Sequence, residues 1–164
     1  MKQIYLAGGC FWGVEKYLSL IPGVVRTEAG YANGNTANPS YEDVCRGIGH
    51  AETVLVEYDE SRLPLQRLLE LFFDVIDPTS LNKQGGDLGV QYRTGIYFTD
   101  EADRKAAEAS IDALKERTAG AVVVELKPLD NYYPAEEYHQ KYLEKNPTGY
   151  CHIGAESFCR FTGN

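Results

Sequence analysis

The sequence predicts an α+β fold: a ferredoxin-like two-layer α/β sandwich with a mixed sheet and an irregular C-terminal arm. Three observations predict it. Segments patterned as strands and helices follow in the order β-α-β-β-α-β, with extra helices added. The 164 residues hold no linker, internal repeat or low-complexity stretch, so residues 1–164 form one domain, long enough for a real core. The tail from Asn146 to Asn164 contains Pro147, Gly149, Gly154 and Gly163 without a sustained period, which makes it an arm lying over that domain.

Taken in order, Gln3 to Ala7 reads as a short buried strand ended by Gly8-Gly9. A helix follows from Cys10, with Phe11, Val14, Leu18 and Ile21 at helical spacing, until Pro22-Gly23 stops it. Val24 to Tyr31 is the second strand. The turn-rich loop Ala32 to Ser40 leads to one helical turn over Tyr41 to Val44. Ala51 to Asp59 alternates as a strand, with Glu52, Val54, Val56 and Tyr58 on one face. Pro64 suits a first helical position, and the stripe Leu65, Leu68, Leu69, Phe72 and Ile76 carries that helix to Asp77-Pro78. Thr79 to Tyr92 is a long Gly-containing loop, a feature that is often functional inside a compact domain. Arg93 to Phe98 is a strand, Asp100 caps an Ala-rich helix to about Arg117, and Val122 to Leu126 is another strand. Ala135 to Lys145 is a last helix, with Tyr138 and Tyr142 one turn apart.

Composition excludes several classes of function. The content is 43% hydrophobic and 24% charged, as in a globular protein rather than a disordered one. A formal net charge of -8 argues against nucleic acid or an anionic membrane as the main partner. No apolar run approaches the roughly 18 residues that span a bilayer, and the N-terminus lacks a signal-peptide pattern, so a cytoplasmic location is expected. The four cysteines, Cys10, Cys45, Cys151 and Cys159, form no Cys-x-x-Cys pair. In a reducing compartment they are thiols, either chemically active or inert.

Cys10 is the first candidate. It stands where a strand ends after two glycines and a helix begins, so backbone N–H groups and the helix dipole would favour a thiolate. A small buried residue at a tight turn fits the same position. Phe11 and Trp12, the only tryptophan, would suit a methyl thioether if Cys10 faces a cleft, although an aromatic pair at a helix start is more often plain core. Glu52, on an apolar strand face, would have its pKa raised by burial and so suit a general acid; a solvated strand end is the plain alternative. His50 lies two residues before it. Tyr41, Tyr92 and Asp87 sit in polar loops and could hydrogen-bond a polar substrate atom, while Asp87 in Gly85-Gly86-Asp87-Leu88-Gly89 also fits ordinary turn chemistry. Cys151 and Cys159, in the arm, are placed as a resolving step requires. Cys45 reads as structural or incidental.

These residues also carry a resemblance. Gly9-Cys10-Phe11-Trp12-Gly13-Val14-Glu15 resembles the signature of the A-type peptide methionine sulfoxide reductases, and the likeness runs nearly end to end. Gly30-Tyr31-Ala32-Asn33-Gly34, Tyr41-Glu42-Asp43-Val44, Gly49-His50-Ala51-Glu52, Gln91-Tyr92-Arg93 and Tyr138-His139-Gln140-Lys141-Tyr142-Leu143 are similar to family motifs. Asn146-Pro147-Thr148-Gly149-Tyr150-Cys151 is similar to members with a resolving cysteine there. Cys45 to His50 is about one residue shorter than in many members.

The resemblance implies Cys10 as nucleophile on the sulfoxide sulfur and Glu52 as the acid that protonates the leaving oxygen. It implies Tyr41 and Tyr92 as hydrogen-bond donors to that oxygen, Phe11 and Trp12 as the methyl pocket, and Asp87 as a carboxylate holding the substrate. Selectivity for the S epimer, free or in proteins and peptides, is implied too. Cys151 would resolve the Cys10 sulfenic acid, Cys159 would take over the disulfide, and thioredoxin or a similar dithiol would close the cycle. No cofactor and no metal are expected, and a monomer is. Two rivals remain at this level: a thiol peroxidase, which would not need Glu52, and a redox sensor switched by the tail cysteines.

Overall fold

The structure, a computed structural model, describes residues 1–161. Strand β1 (Lys2–Gly8) leads into helix α1 (Phe11–Ser19), strand β2 (Val24–Ala32), the short helix α2 (Tyr41–Cys45) and strand β3 (Ala51–Tyr58). Then come helix α3 (Leu65–Phe73), the two-residue strands β4 (Lys83–Gln84) and β5 (Asp87–Leu88), strand β6 (Thr94–Phe98) and helix α4 (Glu101–Glu116). Strands β7 (Glu125–Pro128) and β8 (Tyr132–Pro134) and the short helices α5 (Tyr142–Lys145) and α6 (Ala155–Cys159) follow. Six strands form a mixed α+β sheet in the order β7-β6-β1-β3-β2-β8. Its neighbouring pairs are antiparallel except β6 with β7.

Alternation along the strands explains both faces of the sheet. Ile4 and Leu6 of β1, with Val54, Val56 and Tyr58 of β3, join the main core beside Phe11 and Leu18 of α1 and Leu68 and Phe72 of α3. The intervening residues Ala7 and Ala51, with Ala32 and Tyr97, form a second cluster on which Tyr5 and Tyr132 pack. Their rings lie 5.0 Å apart. With both faces covered, β3 is buried along almost its whole length. Helix starts follow local chemistry. Ser40 and Asp43 form a reciprocal capping box on α2, and the Asp100 side chain accepts from the Ala102 N–H at 2.8 Å on α4.

Several expected elements are corrected. Helix α1 begins after Cys10, which is its N-cap, and ends at Ser19. Pro64 is likewise the N-cap of α3, extended rather than helical. The strand expected at Val122 to Leu126 forms at Glu125–Pro128, where it pairs parallel with β6 from Gly95↔Glu125 onward. The loop after Asp77 folds into the β4–β5 hairpin and a 3-10 turn, Val90–Tyr92. The helix expected over Ala135 to Lys145 is broken into a 3-10 turn, Glu137–His139, and α5, because Lys141 sits in the left-handed region at φ 51°. The arm from Asn146 is irregular except for α6, and its last three positions, 162–164, lie outside the described residues. Among the described residues, no helix is long and apolar enough to cross a membrane.

Candidate active site

The site is built where β1 hands over to α1. Gly9 turns the chain at φ 91°, a conformation that L side chains avoid, and a Cβ there would press within 2.6 Å of the Gln84 Cβ. Cys10 follows as the N-cap of α1 and is 7% exposed. The first amide of the helix, Phe11 N–H, does not serve the sulfur; it donates to Glu52 Oε1 at 3.1 Å. Burial pushes the Cys10 thiol up, the Glu52 charge adds to that, and the Trp12 amide opposes them. The expected thiolate is therefore corrected. The helix start does favour it, but desolvation beside a carboxyl group outweighs one N–H, and the resting residue is a thiol.

Glu52 is 1% exposed, on the apolar face that the alternation of β3 predicts, and opposite Tyr31 in the β2–β3 register. Its Oε2 is buried and has no hydrogen-bond partner among the described residues. Burial pushes its carboxyl up to about 8, with Asp87 adding to the rise and the Phe11 N–H opposing it. At neutral pH the group is thus mostly a protonated acid beside a thiol.

Other predicted residues converge on it. Glu52 acts on the phenols of both Tyr41 and Tyr92, after burial, to hold them well above the ordinary tyrosine range, and Tyr92 also feels Asp87 and Cys10. Tyr41 is held by Glu136, whose Oε2 accepts the Tyr41 N–H at 3.0 Å while its Oε1 accepts the Tyr31 hydroxyl at 2.8 Å. Burial works against the Glu136 charge, but these donors outweigh it and keep the carboxyl below the usual range. Asp87, on the β4–β5 hairpin, lies near the Tyr150 phenol, which burial and this carboxylate push up, and its Oδ2 is buried with no hydrogen-bond partner among the described residues. The Cys45 thiol, exposed, meets the Tyr41 phenol at the edge of this group. His50 does not join the site: it is fully buried, with Nε2 2.9 Å from the Thr36 carbonyl oxygen.

Phe11 and Trp12 form an aromatic wall that depends on residues the sequence reading did not single out. The Trp12 indole N–H donates to His139 Nδ1 at 3.0 Å, and its ring stacks on Tyr142 with centroids 3.7 Å apart. His139, 1% exposed, also packs on the rings of Phe11 and Tyr41. Because Nδ1 accepts, the neutral imidazole carries its proton on Nε2. Burial pulls the His139 pKa down, which favours that form. The segment is locked from two sides. Buried Glu15 accepts the Lys141 N–H at 2.8 Å and the Thr27 hydroxyl at 3.0 Å. The Gln140 side chain accepts from Ala29 N–H and donates to Ala29 and Ala135 carbonyls. The signal was present in Tyr138 to Leu143 and in Glu15, but Tyr138 and Tyr142 one turn apart suggested a single continuous helix there.

In the arm, Cys151 lies half-buried over the first turn of α1, where a Cβ on Gly13 would come 2.6 Å from its Sγ. Cys159, on α6, is exposed. The structure thus brings Cys10, Glu52, Tyr41, Tyr92, Asp87, Phe11, Trp12 and Cys151 into one neighbourhood. Cys10, Cys45 and Cys151 are thiols.

Comparison with known proteins gives the family of the whole chain. A family model described as peptide methionine sulfoxide reductase matches residues 2–162. The peptide methionine sulfoxide reductase MsrA of Lachnoclostridium phytofermentans is 60% identical over 158 residues, covering 96% of this chain and 95% of the relative. That of Clostridium perfringens is 60% identical over 154 residues, covering 93% and 98%. Among solved structures, reduced Mxr1 from Saccharomyces cerevisiae aligns with a TM-score of 0.89 at 37% identity, over 93% of this chain and 91% of that one. Mxr1 in complex with Trx2 aligns at 0.62 and 26% identity, over 86% and 84%. A buried thiol facing a buried acid beside an aromatic wall thus belongs, in this chain, to an oxidoreductase. The chain belongs to the peptide methionine sulfoxide reductase family, as an A-type member, and reduces methionine sulfoxide.

Proposed function

We propose that this chain reduces the S epimer of methionine sulfoxide, free or in proteins, with Cys10 as nucleophile and Glu52 as acid. The observation that carries the reading is the Glu52 carboxyl: buried, raised to about 8, and with Oε2 left without a partner beside the thiol. A sulfoxide oxygen is a poor leaving group until it is protonated. Glu52 holds a proton for it at neutral pH, and Tyr41 and Tyr92 supply hydroxyls to the same oxygen. The Phe11–Trp12 wall receives the methyl group, and Asp87 with Tyr150 borders the substrate.

Protons and oxygen balance without a cofactor. Glu52 protonates the sulfoxide oxygen, and the Cys10 sulfur bonds to the sulfoxide sulfur. The thiol proton goes to the carboxylate that Glu52 has become. The oxygen then passes to the Cys10 sulfur as both the substrate's S–O bond and the new S–S bond to it break, leaving Cys10 as a sulfenic acid and methionine as the departing thioether. Cys151 then condenses with the sulfenic acid, releasing water. Cys159 attacks the resulting disulfide, leaving Cys151–Cys159 and a reduced Cys10. The complex of Mxr1 with Trx2 supports thioredoxin as the donor that reduces the final disulfide. A monomer in the cytoplasm suits this cycle. The strand order β6-β1-β3-β2, with α1 and α3 in its crossovers, supports reading the core as ferredoxin-like.

Single-turnover reduction of a methionine-S-sulfoxide peptide, with no added reductant, tests the proposal. Wild type is expected to form methionine near stoichiometrically with paired loss of thiols, and Cys10→Ser none. Equal product from the R epimer would remove the claimed selectivity, and product from Cys10→Ser would remove the nucleophile.

A further inference from the structure

We propose that Gly13 is a docking notch for the resolving thiol: its missing side chain is what lets the Cys151 sulfur approach Cys10. The inference rests on the reading of Cys151 as the resolving residue. A Cβ built on Gly13 would lie 2.6 Å from Cys151 Sγ and 3.3 Å from Ile153 Cδ1, so the sulfur occupies the space a side chain would fill. Cys10 is the N-cap three residues before Gly13, so both border the first turn of α1, and Cys151 lies near enough to Cys10 to act on its thiol. A disulfide needs Cβ atoms about 3.5–4.5 Å apart and sulfurs about 2.05 Å apart. A sulfur seated on Gly13 is held at the same helix turn as Cys10, from which the arm and the two side chains have to close to that distance.

The arm is held to deliver it there. Ile153 is buried in the main core, and its N–H donates to Cys151 Sγ at 3.4 Å, fixing the sulfur from behind. The backbone gives no other reason for glycine: position 13 lies inside α1, is not among the residues with positive φ, and glycine is a poor helix former. The step served is Cys10–SOH plus Cys151–SH giving the disulfide and water. The S–S bond forms, the S–O bond breaks, and the thiol proton leaves with the hydroxyl. Gly13 acts as a positioning residue, through Cys151.

The test is a rapid-quench single turnover on reduced wild type, Gly13→Ala and Cys151→Ser, with a methionine-S-sulfoxide peptide and dimedone as sulfenic acid trap. Methionine, trapped sulfenic acid and the summed Cys10–Cys151 and Cys151–Cys159 disulfides are each measured. In Gly13→Ala, disulfide formation relative to methionine formation is expected to fall about tenfold or more, with sulfenic acid trapped as in Cys151→Ser. Disulfide formation in Gly13→Ala at the wild-type ratio overturns the notch. Absence in wild type of both the Cys10–Cys151 disulfide and the Cys151–Cys159 disulfide that follows from it overturns the resolving role itself, a separate failure. A second measurement needs no variant: in folded, reduced wild type, Cys151 is expected to react with iodoacetamide about tenfold slower than exposed Cys45. Equal reactivity also overturns the seated sulfur.

Discussion

For single residues, the decisive quantity is the proton on Glu52. Burial raises its carboxyl to about 8, so the acid form that protonates the sulfoxide is present at neutral pH and is lost as pH rises through that value. The first-step rate of wild type is expected to fall on the alkaline side of about 8 for this reason, and the limb should vanish in Glu52→Gln, measured by single turnover across pH. The same variant is expected to lose about 10²–10⁴-fold in that step at neutral pH. Stability follows with the same sign. A carboxyl whose folded pKa is raised contributes fully below its unfolded pKa, near 4.5, and loses that contribution as pH rises through about 8. Denaturant melts of Glu52→Gln should therefore lack part of the alkaline decline seen in wild type. His139 acts through Trp12. His139→Leu removes the acceptor of the indole N–H and is expected to raise KM about three- to tenfold, more than it lowers kcat. Because Trp12 is the sole tryptophan, its fluorescence reads the loosened wall directly, and an unchanged emission spectrum with unchanged KM would count against that role.

Among the elements, α1 organises the site. Its first amide meets Glu52, its second residue forms the aromatic wall, and its Glu15 holds the backbone of Lys141. The segment from Ala135 to Lys145 shows why local pattern was a poor guide there. Tyr138 and Tyr142 at helical spacing suggest one continuous helix, but Gln140 turns its amide onto β2, where it replaces a missing strand neighbour beside β8. Those three hydrogen bonds, with Glu15 on Lys141, outweigh the helical bonds given up. Gln140→Ala leaves the buried Ala29 N–H unpaired, while the Ala29 carbonyl keeps the Ala135 N–H, and is expected to cost about 1–3 kcal/mol in a denaturant melt. A cost near zero would mean the segment is fixed by packing alone.

For the molecule as a whole, recycling depends on an arm that is part of the core rather than an appendage. Ile153 is buried with the residues of α1 and α3, and Phe158 and Phe161 pack against that cluster. Arg160 ties the arm to Asp74, just after α3, at 2.8 Å. Replacement of Cys159 separates the chemistry from its recycling: Cys159→Ser is expected to form its first equivalent of methionine and lose thioredoxin-dependent turnover. Full steady-state turnover in that variant would show that the second arm thiol is dispensable.

Much of this was readable from the chain, because it depends on local chemistry. The glycine pair before Cys10, the alternation that buries Glu52 at the start of β3, and the Asp100 and Ser40 helix starts all follow from neighbouring residues. So does the order of strands and helices through Phe98. The resemblance carried by Gly9 to Glu15 named the family, and the comparisons agree. What only the tertiary structure decided depends on contacts between residues distant in sequence. His139 reaches Trp12, Glu15 reaches Lys141 and Gln140 replaces a strand bond on Ala29, each across more than a hundred residues. Those contacts broke a helix that propensity favours. The thiol of Cys10 is tuned in the same way: a helix start argues for a thiolate, but burial, with Glu52 of another strand adding to it, pushes the thiol up. Sequence sets which groups are available, and desolvation, which exists only once the chain has packed, sets the charge they carry.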